Sequence, residues 1–228
     1  MTETATESPR TSEAAVTSEE YLRLDEKLLR EGRETTRVAV LSGPALSIGV
    51  SQRENAPCVV RARRLGIPVV RRSTGGLGLS HGPGDLVWSL ILPRSEPRVG
   101  NDFSRAYARL GAGVVRFLAE TGVTAAWQPP RGPPCEHCLL AGRGDVLRVG
   151  DRALGGAAQH ATREALLHHG VLPYRLEVSK LAELFDLSPV VVEGSLTGLE
   201  RVTGGIPPGV LAQRLRTVLE SERGVVPV

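Results

Sequence analysis

The sequence predicts an α+β fold, a single domain built on a mixed, largely antiparallel sheet flanked by helices. Apolar runs of strand length and stretches of helix length are interleaved without the regular alternation of a doubly wound sheet. Residues 102–121 place Phe103, Tyr107, Leu110, Val114 and Leu118 on one face of a long helix, an apolar stripe that belongs to a core. With 41% hydrophobic residues, a chain of 228 can fill one core with a short appendage, and this length argues against two independent folds.

The elements follow in order. Thr17-Ser18-Glu19-Glu20 has the capping-box form, and Tyr21, Leu24 and Leu28 recur on one face of the helix it opens, with Gly32 as the stop. Residues 38–41 and 45–50 read as strands joined by the turn cluster Ser42-Gly43-Pro44, hence as a hairpin. A helix over 58–65, ended by Gly66, leads into a strand over 67–71, a glycine-rich loop, and a further strand over 85–92. Gly122 closes the long helix. Residues 129–144, broken by Gly132-Pro133-Pro134, read as an irregular active-site loop, because structureless loops of that length are usually functional. A second hairpin joins 145–149 to 153–159 through Gly150-Asp151, and a strand covers 166–176. Helices over 179–187 and 208–222 finish the chain, the second with proline in its opening turn.

Composition removes several classes of function. Formal net charge is +3, with basic residues scattered among acidic ones and only 4% aromatics, which argues against a nucleic-acid surface. The longest apolar stretch, 86–93, is interrupted by Ser89 and falls far short of the roughly 20 residues a spanning helix needs, so no membrane role is expected. Residues 1–16 are polar and acidic, without a secretory or transit pattern, and read as a disordered leader. Cys58, Cys135 and Cys138 cannot all pair within one chain, so reduced thiols and a cytoplasmic location are expected. Trp88 and Trp127 read as core aromatics.

The most informative stretch is Arg71-Arg72-Ser73-Thr74-Gly75-Gly76-Leu77-Gly78-Leu79-Ser80-His81-Gly82-Pro83-Gly84-Asp85. Two fixed cations enter a loop whose glycines expose backbone N–H groups, a combination suited to a carboxylate or a phosphate. Neither dinucleotide-binding nor P-loop spacing fits, and on bare chemistry a tight turn explains the loop equally well. Cys135-Glu136-His137-Cys138 admits three readings: inert loop cysteines, a nucleophile, or half of a metal site. No second Cys-x-x-Cys exists, and no metal site is assigned.

The loop with its His-Gly-Pro-Gly form, together with Leu24-Asp25-Glu26, Ile48-Gly49-Val50-Ser51-Gln52, Gly155-Gly156-Ala157-Ala158-Gln159 and Leu167-His168-His169-Gly170, resembles the lipoate ligase and octanoyltransferase branch of the biotin and lipoate protein ligase superfamily. The likeness runs from about residue 21 to 202. It implies a transferase-like catalytic domain over 17–205, followed by a C-terminal helix and tail over 206–228. It also implies transfer of an octanoyl or lipoyl group to a lysine of a carrier domain, in a monomer. A transferase needs no cofactor and passes the acyl group from an acyl carrier protein through a cysteine thioester. A ligase uses ATP and Mg.

Carried over by position, Arg71, Gly75, Gly76 and His81 shape the acyl pocket and its polar mouth, and Gly155, Gly156 and Ala157 let backbone approach the reactive carbonyl. His168-His169 reads as strand structure and pocket wall. Two departures bear on activity: Arg152 stands where the family block usually has its catalytic lysine, and Leu77 where a third glycine is common. Arginine can hold a carbonyl or phosphate but cannot act as a base. Cys138 is the expected nucleophile, with Cys135 as the alternative and Arg152 as the cation that orients the carbonyl. Three readings therefore stand: an acyltransferase, an ATP-dependent lipoate ligase, and a homologue that binds the acyl group or its carrier without turnover.

Overall fold

Two sheets organise the chain in this computed structural model, which describes residues 15–100, 102–142 and 144–222, and of Phe103 only its backbone. Most of the expected leader therefore lies outside the described residues. The larger sheet has the order β1 (Thr35–Val40), β5 (Leu86–Pro93), β9 (Ala165–Leu172), β8 (Arg152–Ala161), β7 (Val146–Val149) and β6 (Ala126–Gln128), with every neighbouring pair antiparallel. The smaller sheet has β2 (Ala45–Ile48) between β3 (Val69–Arg71), parallel to it, and β4 (Leu79–His81), antiparallel to it. The fold is thus the predicted α+β class, on a mixed and largely antiparallel framework.

Helices cover both faces of the larger sheet. α3 (Phe103–Glu120) and α8 (Pro208–Ser221) pack on one side, where Trp88, Leu86 and Leu90 of β5 meet Leu110, Val114 and Phe117 of α3 and Leu211 and Leu215 of α8. α8 is therefore part of the main core rather than an appendage. α1 (Ser18–Arg30) lies across β9 and β5 on the opposite side. Covered on both faces, β5 buries nearly every residue, which is why it reads as a continuous apolar run instead of an alternating one. The small sheet packs with α2 (Pro57–Arg64) and α5 (Val178–Phe185) around Leu46, Ile48, Val59 and Phe185.

Local signals acted as expected at several helix ends. Thr17 caps α1, its Oγ1 accepting from Glu20 N at 3.2 Å while its own N–H donates to the Glu20 carboxylate at 2.9 Å. The three glycines read as helix stops, Gly32, Gly66 and Gly122, all adopt positive φ. The hairpin of β7 and β8 forms as predicted.

The first hairpin does not form. β1 pairs with β5 in the large sheet, while β2 crosses to the centre of the small one. All four residues of β2 are buried, and a fully buried strand needs a partner on both edges, which a hairpin cannot supply. The strand expected over 166–176 stops at Leu172, because Pro173 has no N–H for the ladder. The loop over 129–144 contains one helical turn, α4 (Cys138–Ala141), and two short helices, α6 (Pro189–Ser195) and α7 (Leu199–Val202), were not anticipated. α6 did carry a local signal, since Ser188 accepts from Val191 N ahead of Pro189. No helix among the described residues is long and apolar enough to cross a membrane.

Candidate active site

The cavity between the large sheet and the glycine-rich loop has a volume of about 660 Å³. Its floor follows the two-residue period of the strands. Gly156 of β8 sits opposite Val171 of β9, which sits opposite Val87 of β5, and the next row on the same face runs Ala158, His169, Ser89. The roof is Gly75, Gly76 and Leu77, and Cys138 and Leu139 of α4 close one side.

Arg72, rather than Arg71, faces this space. Its side chain is 5% exposed and gathers the loop around itself, donating to Ser47 O at 3.1 Å, Gly75 O at 2.8 Å and Leu77 O at 2.8 Å. Burial lowers its affinity for the proton while the charge of a Cys138 thiolate raises it, and a guanidinium stays protonated throughout. A Cβ on Gly76 would lie 2.7 Å from Arg72 Nη2 and 3.3 Å from Cys138 Sγ, so cation and thiol are no farther apart than the sum of those distances. Gly76 has φ +104°, and Gly49 packs its Cα against the Gly76 carbonyl, where a Cβ would approach to 2.2 Å. The α4 loop is laced to the glycine loop by Cys138 N donating to Gly78 O at 2.8 Å.

The expected site residues divide. Cys138, Gly75, Gly76, His81, Gly156 and Ala157 line the cavity together; Arg71, Arg152, Gly155 and Cys135 do not. Arg71 instead donates to the carbonyls of Gly49, Val50 and Gln52 and pairs with Glu54, holding the 49–54 turn. Successive side chains at the end of β3 point to opposite sides, so only one of the two arginines can enter. Arg152 opens β8 opposite Val149, four residues and roughly 13 Å of strand from Gly156. Gly155 faces away, against Val171 O and Leu172. Cys135 is half-buried against the small-sheet core, and burial pushes its thiol up; Cys58 is pushed up to about 11 by burial and by Glu136.

His81 Nε2 lies 2.9 Å from Ser47 Oγ, within hydrogen-bond distance, and burial, with the Arg72 charge, pulls it down to about 3, so it is neutral. His137, flanked by the two cysteines, stacks edge-on against Phe185 and is pulled to about 4 by burial. Among the described residues no group of three or more histidine, cysteine or acidic side chains could hold a metal ion.

One buried network was missed as a unit. Asp25, 1% exposed, accepts from Ser89 Oγ at 2.7 Å and pairs with Arg37, and its Oδ2 lies 3.2 Å from His169 Nδ1. His169 Nε2 in turn lies 2.9 Å from Thr74 Oγ1, at the entry to the glycine loop. A carboxylate only accepts hydrogen bonds, so His169 can serve Asp25 through an Nδ1 proton while its Nε2 stays within hydrogen-bond distance of Thr74. The fragments Leu24-Asp25-Glu26 and Leu167-His168-His169-Gly170 carried the signal, but nothing local joins residues 144 positions apart.

Residues 17–215 match the family described as the lipoyl protein ligase A/B catalytic domain. The chain belongs to that family. Octanoyltransferase LipM of Geobacillus kaustophilus is 30% identical over 177 residues, covering 71% of this chain and 63% of the relative. This lipoyl ligase family member spans 47% and 63% of the length of two such curated relatives. Its fold is shared with a bipartite lipoate protein ligase from Thermoplasma acidophilum, solved in a study of that enzyme and its E2 lipoyl domain, at TM-score 0.69 and 18% identity over 92% of this chain and 78% of that one. A lipoate-protein ligase A bound with ATP gives TM-score 0.68 at 18% identity, covering 88% of this chain and 77% of that one.

Proposed function

We propose that this protein transfers an octanoyl or lipoyl group to a lysine of a lipoyl carrier domain through a thioester on Cys138, acting as a monomer in the cytoplasm. The observation that carries the reading is the meeting of the Cys138 thiol, the Arg72 guanidinium and the Gly75–Gly76 turn at one end of a largely apolar cavity. The similarity to octanoyltransferases supports it.

In the first half-reaction the Cys138 thiolate attacks the thioester carbonyl of an acyl carrier protein, and the carrier thiolate leaves and takes up a proton. In the second, a neutral lysine amine attacks the Cys138 thioester; the amide forms, Cys138 leaves as thiolate, and the amine releases one proton. Arg72 supplies a fixed positive charge beside the reacting carbonyl without giving up a proton. Arg152, the cation expected from sequence, has no such position, and no lysine is among the described residues lining the cavity.

Intact-mass measurement after incubation with octanoyl carrier protein tests this. The wild type and Cys135→Ser should gain one octanoyl group, and Cys138→Ser none. Arg152→Ala should load within about threefold of the wild-type rate, whereas Arg72→Ala should fall by about 100-fold or more, the scale of losing a charge that stabilises the reacting centre. An adduct on Cys138→Ser, or the reverse order of the two arginines, would refute the assignment. ATP-dependent ligation predicts instead lipoate-dependent exchange of pyrophosphate into ATP.

A further inference from the structure

The segment that leads to the Cys138 thiol is rich in proline. Pro129, Pro130, Pro133 and Pro134 have no N–H to offer a ladder, so side chains must supply much of its hold. Glu136 supplies one such tie. Its Oε2 accepts from Cys58 N at 2.7 Å, and Cys58 is the second residue of α2, one of the opening positions whose N–H groups find no partner within a helix. Ala56, the residue before α2, makes no side-chain cap. Glu136 therefore does from 78 residues away what a local cap residue usually does, and its carboxylate meets the positive end of the helix.

The tie reaches the nucleophile through Gly78. Two residues after Glu136, Cys138 N donates to Gly78 O at 2.8 Å, and His137 forms a parallel bridge with Gly78. A Cβ on Gly78 would lie 3.2 Å from Cys58 Sγ and 3.3 Å from Glu136 O, so α2, the glycine-rich loop and residues 136–138 meet at one crowded point. We propose that Glu136 is a positioning residue for Cys138: its carboxylate clamps the segment carrying the nucleophile to α2 and so keeps the thiol beside the Gly76 turn and Arg72. Glu136 is not among the residues that line the cavity, and it acts through the segment it holds. The proposal rests on the acyl-transfer reading for the chemistry it serves.

Single-turnover loading of Cys138 from octanoyl carrier protein, followed by intact mass, separates positioning from a general loss of stability. Glu136→Ala should lower the maximal loading rate by about 10- to 100-fold, the scale of an ångström-sized misplacement, while the half-saturating carrier concentration stays within about twofold of wild type. Glu136→Gln keeps an oxygen for Cys58 N and should rescue loading to within about fivefold of wild type. Glu136→Asp keeps the charge but falls one methylene short, and should load nearly as slowly as Glu136→Ala. Wild-type loading by Glu136→Ala, or Glu136→Asp loading faster than Glu136→Gln, overturns the proposal; the Gln and Asp pair decides it alone if Glu136→Ala does not fold. Amide hydrogen exchange at Cys138 reads the clamp without turnover, and should be about tenfold faster in Glu136→Asp than in wild type. Unchanged exchange beside normal wild-type loading refutes the positioning role alone. Faster exchange beside a wild type that never loads refutes the transfer reading and leaves the clamp standing.

Discussion

Adding a methyl group at Gly76 should damage stability and chemistry together, while the same change one residue earlier should do neither. Gly76 has φ +104°, where an L side chain costs on the order of 1–3 kcal/mol. The new Cβ would stand 2.7 Å from Arg72 Nη2, inside any normal carbon–nitrogen contact, and 3.3 Å from Cys138 Sγ. Arg72 cannot swing aside freely, because the same Nη2 donates to the Gly75 and Leu77 carbonyls, and charge-assisted bonds of this kind contribute about 1.5–3 kcal/mol each. Strain plus the partial loss of one such bond gives a destabilisation of about 3–5 kcal/mol for Gly76→Ala. Gly75 is the internal control. Its φ is not positive and a Cβ there meets nothing within 4 Å, so Gly75→Ala should stay within about 1 kcal/mol of wild type. Urea unfolding of both variants, with unchanged m-values, measures the difference. Thioester formation should fall by about 100-fold in Gly76→Ala, the scale of an ångström-sized misplacement of reacting groups. Equal unfolding midpoints for the two variants would show that the loop is not held by Arg72 as described.

Acid should destabilise the protein well above the carboxylate range. Burial holds His81, His137 and His168 at about 3, 4 and 3, against 6.5 for the free side chain. Their folded values are depressed, so the unfolded chain takes up protons first; the stability they allow is complete above pH 6.5 and is lost as pH falls towards 4. Each costs about 2 kcal/mol at pH 5. Asp85, which burial lifts to about 7 against the pull of two backbone N–H donors, works the other way across the same window. The net loss between pH 8 and pH 5 should be about 3–6 kcal/mol, and identical urea midpoints at the two pH values would contradict neutral buried histidines. Within the Asp25 network, Asp25→Ala strands the Arg37 charge and should cost about 3–5 kcal/mol. Adding Arg37→Met should restore part of that in the same unfolding assay. No recovery would mean that the ion pair is not what Asp25 contributes.

How much was legible in the sequence depended on the range of the interaction. Thr17 and Glu20 sit three residues apart, and Gly32, Gly66 and Gly122 each end the helix just before them, so chain geometry alone decided those features. The fold class was legible for a similar reason, since helix and strand periods appear within a dozen residues. The family was legible only through the resemblance of the glycine-rich loop and its outlying blocks to known motifs, and the match over residues 17–215 bears it out. Cys138 over Cys135, Arg72 over Arg71, and the exclusion of Arg152 from the cavity were a different kind of question. Arg72 over Arg71 turns on which way a side chain points, since in a strand a single step along the chain reverses that direction; Arg152 is set apart by its distance along β8, and Cys138 is brought to the cavity by α4, whose placement depends on contacts far away in the chain.

The sequence by itself determined where the longer helices begin and end and where most of the longer strands run, because those properties follow from neighbours along the backbone, while the three-residue strands β4 and β6 and the short helices α4, α6 and α7 left too little pattern to read. Only the tertiary structure decided that β2 leaves its expected partner for a second sheet, that Asp25 reaches His169 and through it Thr74, and that Arg72 rather than Arg71 lines the cavity. These depend on pairing between segments far apart in the chain, where burial and unsatisfied backbone groups choose the partner and no local pattern records the choice.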